Sequence, residues 1–256
     1  VSATSWGEII KEHRPVLLIR PDALVFYPSE GDPWTEKQIL SDSKTFFVNA
    51  VAHELFSPLS AVMGLLELAK EGDRVQENLL KMERHLNRMQ RILEQLILLS
   101  KIEQENYQPF VRKIDLGQVL KEVVHEYEQR IAQKRLSLSL EKTNMMIEAD
   151  EEALKIVLRN LISNAVKYAK EASHVEIKTI GDLLSVRDEG LGIPEQELKN
   201  VTARFYRAKN VRSISGSGLG LAIVKHILRR LNVTWAIHSK LNVGTTVFLE
   251  LVGVEE

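Results

Sequence analysis

Cysteine is absent from the 256 residues. That excludes disulfides, zinc–thiolate centres and thiol nucleophiles, and it fits a cytoplasmic protein. An excess of one charge is missing too. Lys and Arg number 34 against 35 Asp and Glu, a formal net charge of −1, so bulk electrostatics recruit neither nucleic acid nor an acidic membrane. Long apolar runs are also lacking. The best early one, Val16 to Ile19, stops at Arg20 and Pro21, far short of the roughly 18 residues a spanning helix needs. No secretory leader and no membrane segment are expected in this chain. Its start at Val1 leaves room for a sensory or membrane portion upstream. At this length two domains with separate cores are expected.

Residues 1–40 are broken by Pro15, Pro21, Pro28 and Pro33. VLLIR and ALVFY read as two short strands around Pro21–Asp22, too little for an independent core, so a connector or sensor remnant is expected. Residues 41–105 change to a helical pattern, with Ser41 and Ser43 available as caps. In the first helix Val48, Ala52, Leu55, Leu59, Val62, Leu66 and Ala69 alternate in steps of four and three. The helix stops at Gly72, and Asp73 with Gln76 reads as a capping pair for the next. There Leu79, Met82, Leu86, Met89, Leu93 and Leu96 form a second seam. One partner helix covers neither seam fully, so the economical solution is a four-helix bundle made by two chains, a homodimer. An intramolecular bundle capped by residues 1–40 is the alternative.

His53 lies one position off the first seam, on the wet face, with Glu54 beside it and Ser57 one turn on. A histidine held this way beside a carboxylate is placed to act as a nucleophile, although most surface histidines are merely solvated. Pro58 inside the helix removes a backbone donor at about 3 kcal/mol or more, which hints at a kink in use.

From residue 106 to 256, after a turn-rich linker at Asn106–Pro109, helices and neighbouring strands alternate as in an α/β two-layer sandwich with helices on one face. Asp150 is positioned to cap a helix over 151–168. On that helix Asn160, Asn164 and Lys167 share a stripe suited to a hydrated divalent cation and the phosphates it bridges. Asp188 ends an apolar strand, where a carboxylate can accept from an exocyclic amine such as adenine's, and Gly190 and Gly192 follow. Gly216, Gly218 and Gly220 precede another helix, whose N-terminus favours phosphate. The spacing matches neither a Walker loop nor the dinucleotide fold.

In this order the pieces resemble a sensor histidine kinase of two-component signalling over residues 44–251. HELFSPL is similar to the phosphoacceptor box, NLISNAVKY to the asparagine box and DEGLGIP to the first glycine box. ARFYRA and GSGLGLAIV are similar to the phenylalanine box and the second glycine box. The resemblance implies an all-α dimeric hairpin followed by an ATP-binding domain of the gyrase/Hsp90/MutL type. It implies phosphorylation of His53 from Mg-ATP, with Glu54 as acid/base, and transfer to an aspartate of a response regulator. Asn160 and Asn164 would hold Mg2+, Lys167 would contact phosphate, and Tyr168 would pack near the nucleotide. Asp188 would bind the adenine amine, and the five glycines would shape the pocket. Of Arg204 and Arg207, the second would reach the phosphates. Phe56 and Ser57 replace the family's common Arg-Thr, which makes kinase chemistry a safer expectation than phosphatase activity. Glu189 replaces a frequent Asn. A nucleotide-binding scaffold and a plain ATPase switch are the rival classes. The intact His-Glu and Asn-Asn-Lys sets speak against the first, and the upstream hairpin speaks against the second.

Overall fold

The computed structural model describes residues 6–37, 44–72, 74–104, 108–214 and 216–254. The chain opens with α1 (Trp6–Glu12), β1 (Val16–Ile19), β2 (Ala23–Tyr27) and β3 (Trp34–Lys37). The hairpin follows as α2 (Lys44–Lys70) and α3 (Val75–Glu103). Then come β4 (Val111–Asp115), α4 (Leu116–His125), α5 (Glu128–Gln133), β5 (Ser137–Leu140), β6 (Met146–Asp150) and α6 (Glu151–Tyr168). The last elements are β7 (His174–Ile180), β8 (Leu183–Asp188), α7 (Glu195–Leu198), α8 (Gly220–Arg230), β9 (Trp235–Lys240) and β10 (Gly244–Glu250).

One sheet organises the domain, in the order β3-β2-β1-β9-β10-β8-β7-β5. Its pairs are antiparallel except β5 with β7, and β4 with β6 forms a separate ribbon. Alternation along the strands separates two cores. Leu17, Ile19, Val175, Ile177, Val186, Trp235, Ile237 and Leu249 face the helices α4, α6 and α8. Val16, Leu18, Val25, Leu183, Ala236 and Phe248 face the other way, under Ile9 of α1.

Residues 16–37 are therefore not the connector expected from sequence. They extend the sheet beyond β9, with Val16 opposite His238 and Ile19 opposite Trp235. The four residues of β1 are all buried, because the helical layer covers one face and α1 the other. Ser29 fastens the far turn, its backbone N–H and its hydroxyl each donating to Glu195 at 2.8 Å.

The hairpin forms as expected, and Pro58 is accommodated within α2. The second seam, however, is divided. Met82 is buried whereas Leu79, Leu86 and Leu93 stay 48%, 51% and 45% exposed, a stripe at seven-residue spacing. A third face of α3 carries Ile92, Leu99 and Ile102, which join the core of the sheet domain beside α8. Arg74, in left-handed conformation, precedes α3 without a side-chain cap bond. The expected caps Ser41, Ser43 and Asp73, and Asn106 of the linker, lie outside the described residues. Asp150 caps α6 as expected, accepting from the Ala153 N–H at 3.0 Å. No described helix is long and apolar enough to cross a membrane.

Candidate nucleotide site

Helix α6 turns its apolar residues Val157, Leu158, Leu161 and Ile162 into the core, and this fixes the opposite stripe. Asn160, Asn164, Lys167 and Tyr168 thereby line a cleft of about 920 Å³, facing Gly216, Gly218 and Gly220 at the start of α8. Asp188, Gly192 and Arg207 line the same cleft. The glycines are there for close approach. A Cβ on Gly216 would stand 2.5 Å from Lys167 Nζ, and one on Gly220 would stand 2.9 Å from Asn160 Oδ1. Gly190 does not line the cleft. It is buried behind it, where a Cβ would collide with the Tyr168 carbonyl and with Asp188.

The amide of Asn160 donates to the Ile156 carbonyl at 2.8 Å, which fixes the side chain and leaves its Oδ1 toward Gly220. Lys167 Nζ donates to the Tyr168 hydroxyl at 3.0 Å and lies 4.6 Å from that ring's centre. Among the described residues no group of three or more His, Cys, Asp or Glu is close enough to hold a metal ion. A cation here would rest on amide and phosphate oxygens, the hard donors that magnesium takes.

Asp188 is the most perturbed group of the cleft. Burial pushes its carboxyl up to about 7, against the pull of the Gly190 and Thr245 N–H groups and of Lys134 and Arg187. Its Oδ1 is buried and has no hydrogen-bond partner. A buried orphan acceptor costs about 1–3 kcal/mol until a donor arrives, and an exocyclic amine fits that need.

The phenylalanine segment packs beneath the second glycine run, the Phe205 N–H donating to the Gly218 carbonyl at 3.0 Å. The Tyr206 hydroxyl donates to Glu197 at 2.9 Å. Arg207 donates to the carbonyls of Val211 and Arg212 at 2.8 and 3.0 Å and also to that of Ile214. Its guanidinium thus braces the loop at the edge of the cleft that it lines. Arg204 approaches His226 at 3.4 Å.

Four contributors escaped the sequence reading. Arg88, Arg91 and Gln95 of α3 line the cleft, and the Ser217 hydroxyl donates to Gln95 at 2.8 Å. Lys134 donates to the carbonyls of Val166, Lys167 and Ala169 at 3.0, 3.0 and 2.6 Å, closing the C-terminus of α6. Burial lowers its pKa. The hairpin brings Glu54 to Arg88, whose Nη2 donates at 2.9 Å. Ser57 is exposed, and the side chain of His53 lies outside what the structure describes.

Residues 43–105 match the His Kinase A phospho-acceptor domain, and residues 149–253 match the histidine kinase-, DNA gyrase B- and HSP90-like ATPase. The chain belongs to the sensor histidine kinases. Sensor histidine kinase YkoH of Bacillus subtilis is 31% identical over 218 residues, 82% of this chain and 48% of its own length. The phosphate regulon sensor PhoR of Pseudomonas aeruginosa is 32% identical over 219 residues, 81% of this chain and 49% of its own. The chain thus spans about half the length of these curated relatives. The solved histidine kinase AdeS of Acinetobacter baumannii shares the fold, with a TM-score of 0.64 at 23% identity over 79% of this chain and 98% of that one. As in other histidine kinases, an α/β sandwich that binds ATP follows the helical hairpin. Residues 6–37, with β1 to β3, lie outside both matched spans.

Proposed function

We propose that the chain phosphorylates His53 from Mg-ATP and passes the phosphoryl group to an aspartate of a response regulator. The observation that carries this is the shared cleft: the hairpin's α3 lines the same cavity as Asn160, Lys167 and Asp188. Adenine is held by Asp188, whose orphan Oδ1 accepts from the exocyclic amine. Tyr168 packs near the nucleotide, Lys167 meets the phosphates, and the glycines let them approach the N-terminus of α8. Mg2+ on the Asn160 and Asn164 oxygens supplies charge neutralisation at the γ-phosphoryl group. Glu54 orients the imidazole of His53 and takes its proton. Neutral histidine is abundant near pH 7, so modest activation suffices.

The same reading makes the hairpin a dimer interface. The exposed stripe of Leu79, Leu86 and Leu93, with Leu59 and Leu66 at 38% and 43% exposure on α2, is the apolar face a second copy covers. The nucleotide side of the molecule works where ATP is available, in the cytoplasm. Incubation with γ-labelled ATP tests the proposal. Acid-labile, alkali-stable label is expected on the chain and absent from His53→Gln. Free phosphate without a phosphoprotein would instead support an ATPase switch, and binding without label a scaffold.

A further inference from the structure

Arg88 stands between the two parts of the reaction. On one side its Nη2 donates to Glu54 at 2.9 Å, in a pair whose side chains are only 30% and 20% exposed. On the other it lines the cleft together with Lys167, Asn160 and the glycines of α8. Its Nε is buried without an acceptor, so the guanidinium is incompletely satisfied where it stands. Two turns along the same helix Gln95 accepts from Ser217, and Ile92 is packed into the sheet domain's core. Arg88 is therefore held against the cleft by α3, not displayed on a free surface.

A guanidinium binds carboxylate and phosphate oxygens through the same planar fork. It cannot serve both fully at once. We propose that Arg88 is a positioning residue that exchanges Glu54 for the γ-phosphate when a nucleoside triphosphate enters. The inference rests on the reading of His53 as phosphoacceptor and of the cleft as the ATP site. Before nucleotide binds, Arg88 holds the Glu54 carboxylate. With the triphosphate bound, the guanidinium turns to the γ-phosphoryl oxygens and Glu54 is released. The imidazole nitrogen of His53 then forms the N–P bond while the P–O bond to ADP breaks, its electron pair leaving on ADP. The proton of the resulting imidazolium goes to Glu54. A diphosphate lacks the group that draws Arg88 away, so the exchange also distinguishes ATP from ADP.

The two partners then have opposite effects on one measurement. In competition against a fluorescent ADP probe, Glu54→Gln frees Arg88 and should tighten binding of a β,γ-imido triphosphate by about threefold or more. Arg88→Gln should weaken the same ligand by a similar or larger factor, and Arg88→Lys should recover part of it. ADP affinity should stay within twofold in all three, which also reports that the variants are folded. The double variant should behave like Arg88→Gln, because no guanidinium remains to be freed. Unchanged triphosphate affinity in Glu54→Gln would overturn the exchange, as would an equal loss of ADP and triphosphate in Arg88→Gln. Failure of the kinase reading itself shows separately, as the absence of acid-labile label on the unmodified chain.

Discussion

Replacing Asp188 by asparagine removes a carboxylate that the fold buries in its ionised form at a cost. The group sits at about 7 in the folded chain against an ordinary 3.8, through burial. The folded state thus keeps a proton that the unfolded chain has already lost. Its contribution to stability is complete below pH 4, fades as pH rises, and is gone above 7. A gap of about 3 units, at 1.36 kcal/mol each, corresponds to about 4 kcal/mol between pH 4 and pH 8. Asp188→Asn has no proton to lose. Its unfolding free energy at pH 8 should exceed the original by about 2–4 kcal/mol and converge with it near pH 4, measured by urea titration across that range. Nucleotide affinity should move the opposite way. An amide is a weaker acceptor for the adenine amine, and loss of a charge-assisted bond of about 1.5–3 kcal/mol weakens ADP by roughly ten- to a hundredfold. For the original chain, binding selects the ionised carboxylate. ADP should therefore release about half a proton near pH 7, read as a buffer-dependent heat in calorimetry. Parallel stability–pH curves for the two proteins between pH 5 and 8 would refute the reasoning.

Leu17 is fully buried in the sheet core, so Leu17→Ala should cost about 2–5 kcal/mol of the ATP domain's own stability. A detached connector would show no loss in the same urea titration. Leu86→Glu, in the exposed stripe of α3, should yield a monomer by sedimentation while ADP affinity is retained. Gly220→Ala drives a methyl to 2.9 Å from Asn160 Oδ1. It should lower Mg-ADP affinity at least tenfold, by fluorescence competition, with a thermal midpoint within a few degrees of the original.

Much of this was legible because the signals are local. Four residues fix the bond from Asp150 to the Ala153 N–H, and eight fix the polar stripe from Asn160 to Lys167. The apolar spacing of the hairpin likewise reports its own period. What stayed hidden depends on partners far along the chain. VLLI announced a strand, but nothing near it names β9, whose Trp235 and His238 lie more than 200 residues away. Lys134 reads as a solvated lysine until the end of α6 is placed against it. Arg88 reads as one more basic residue on a helix, since both its partners, Glu54 and the cleft, arrive only by folding. Arg207 was legible as a cleft residue. Its engagement with the carbonyls of Val211 and Arg212 was not, because loop backbone geometry leaves no residue pattern.

The pairing of β1 with β9 also changes what kind of object the hairpin is. Topologically the chain starts in the ATP domain, leaves it after β3, runs out and back through α2 and α3, and re-enters at β4. The phosphoacceptor helices are an insertion fastened at both ends. Only residues 38–43 separate β3 from α2, a reach of at most about 25 Å. A body hung from one cord can swivel in any direction. One hung from two turns about the line that joins them, as a door does. Here Ile92, Leu99 and Ile102 of α3 are packed into the sheet domain's core as well, so even that turn is braced, and a pull on α1 to β3 acts on the same sheet that lines the nucleotide cleft.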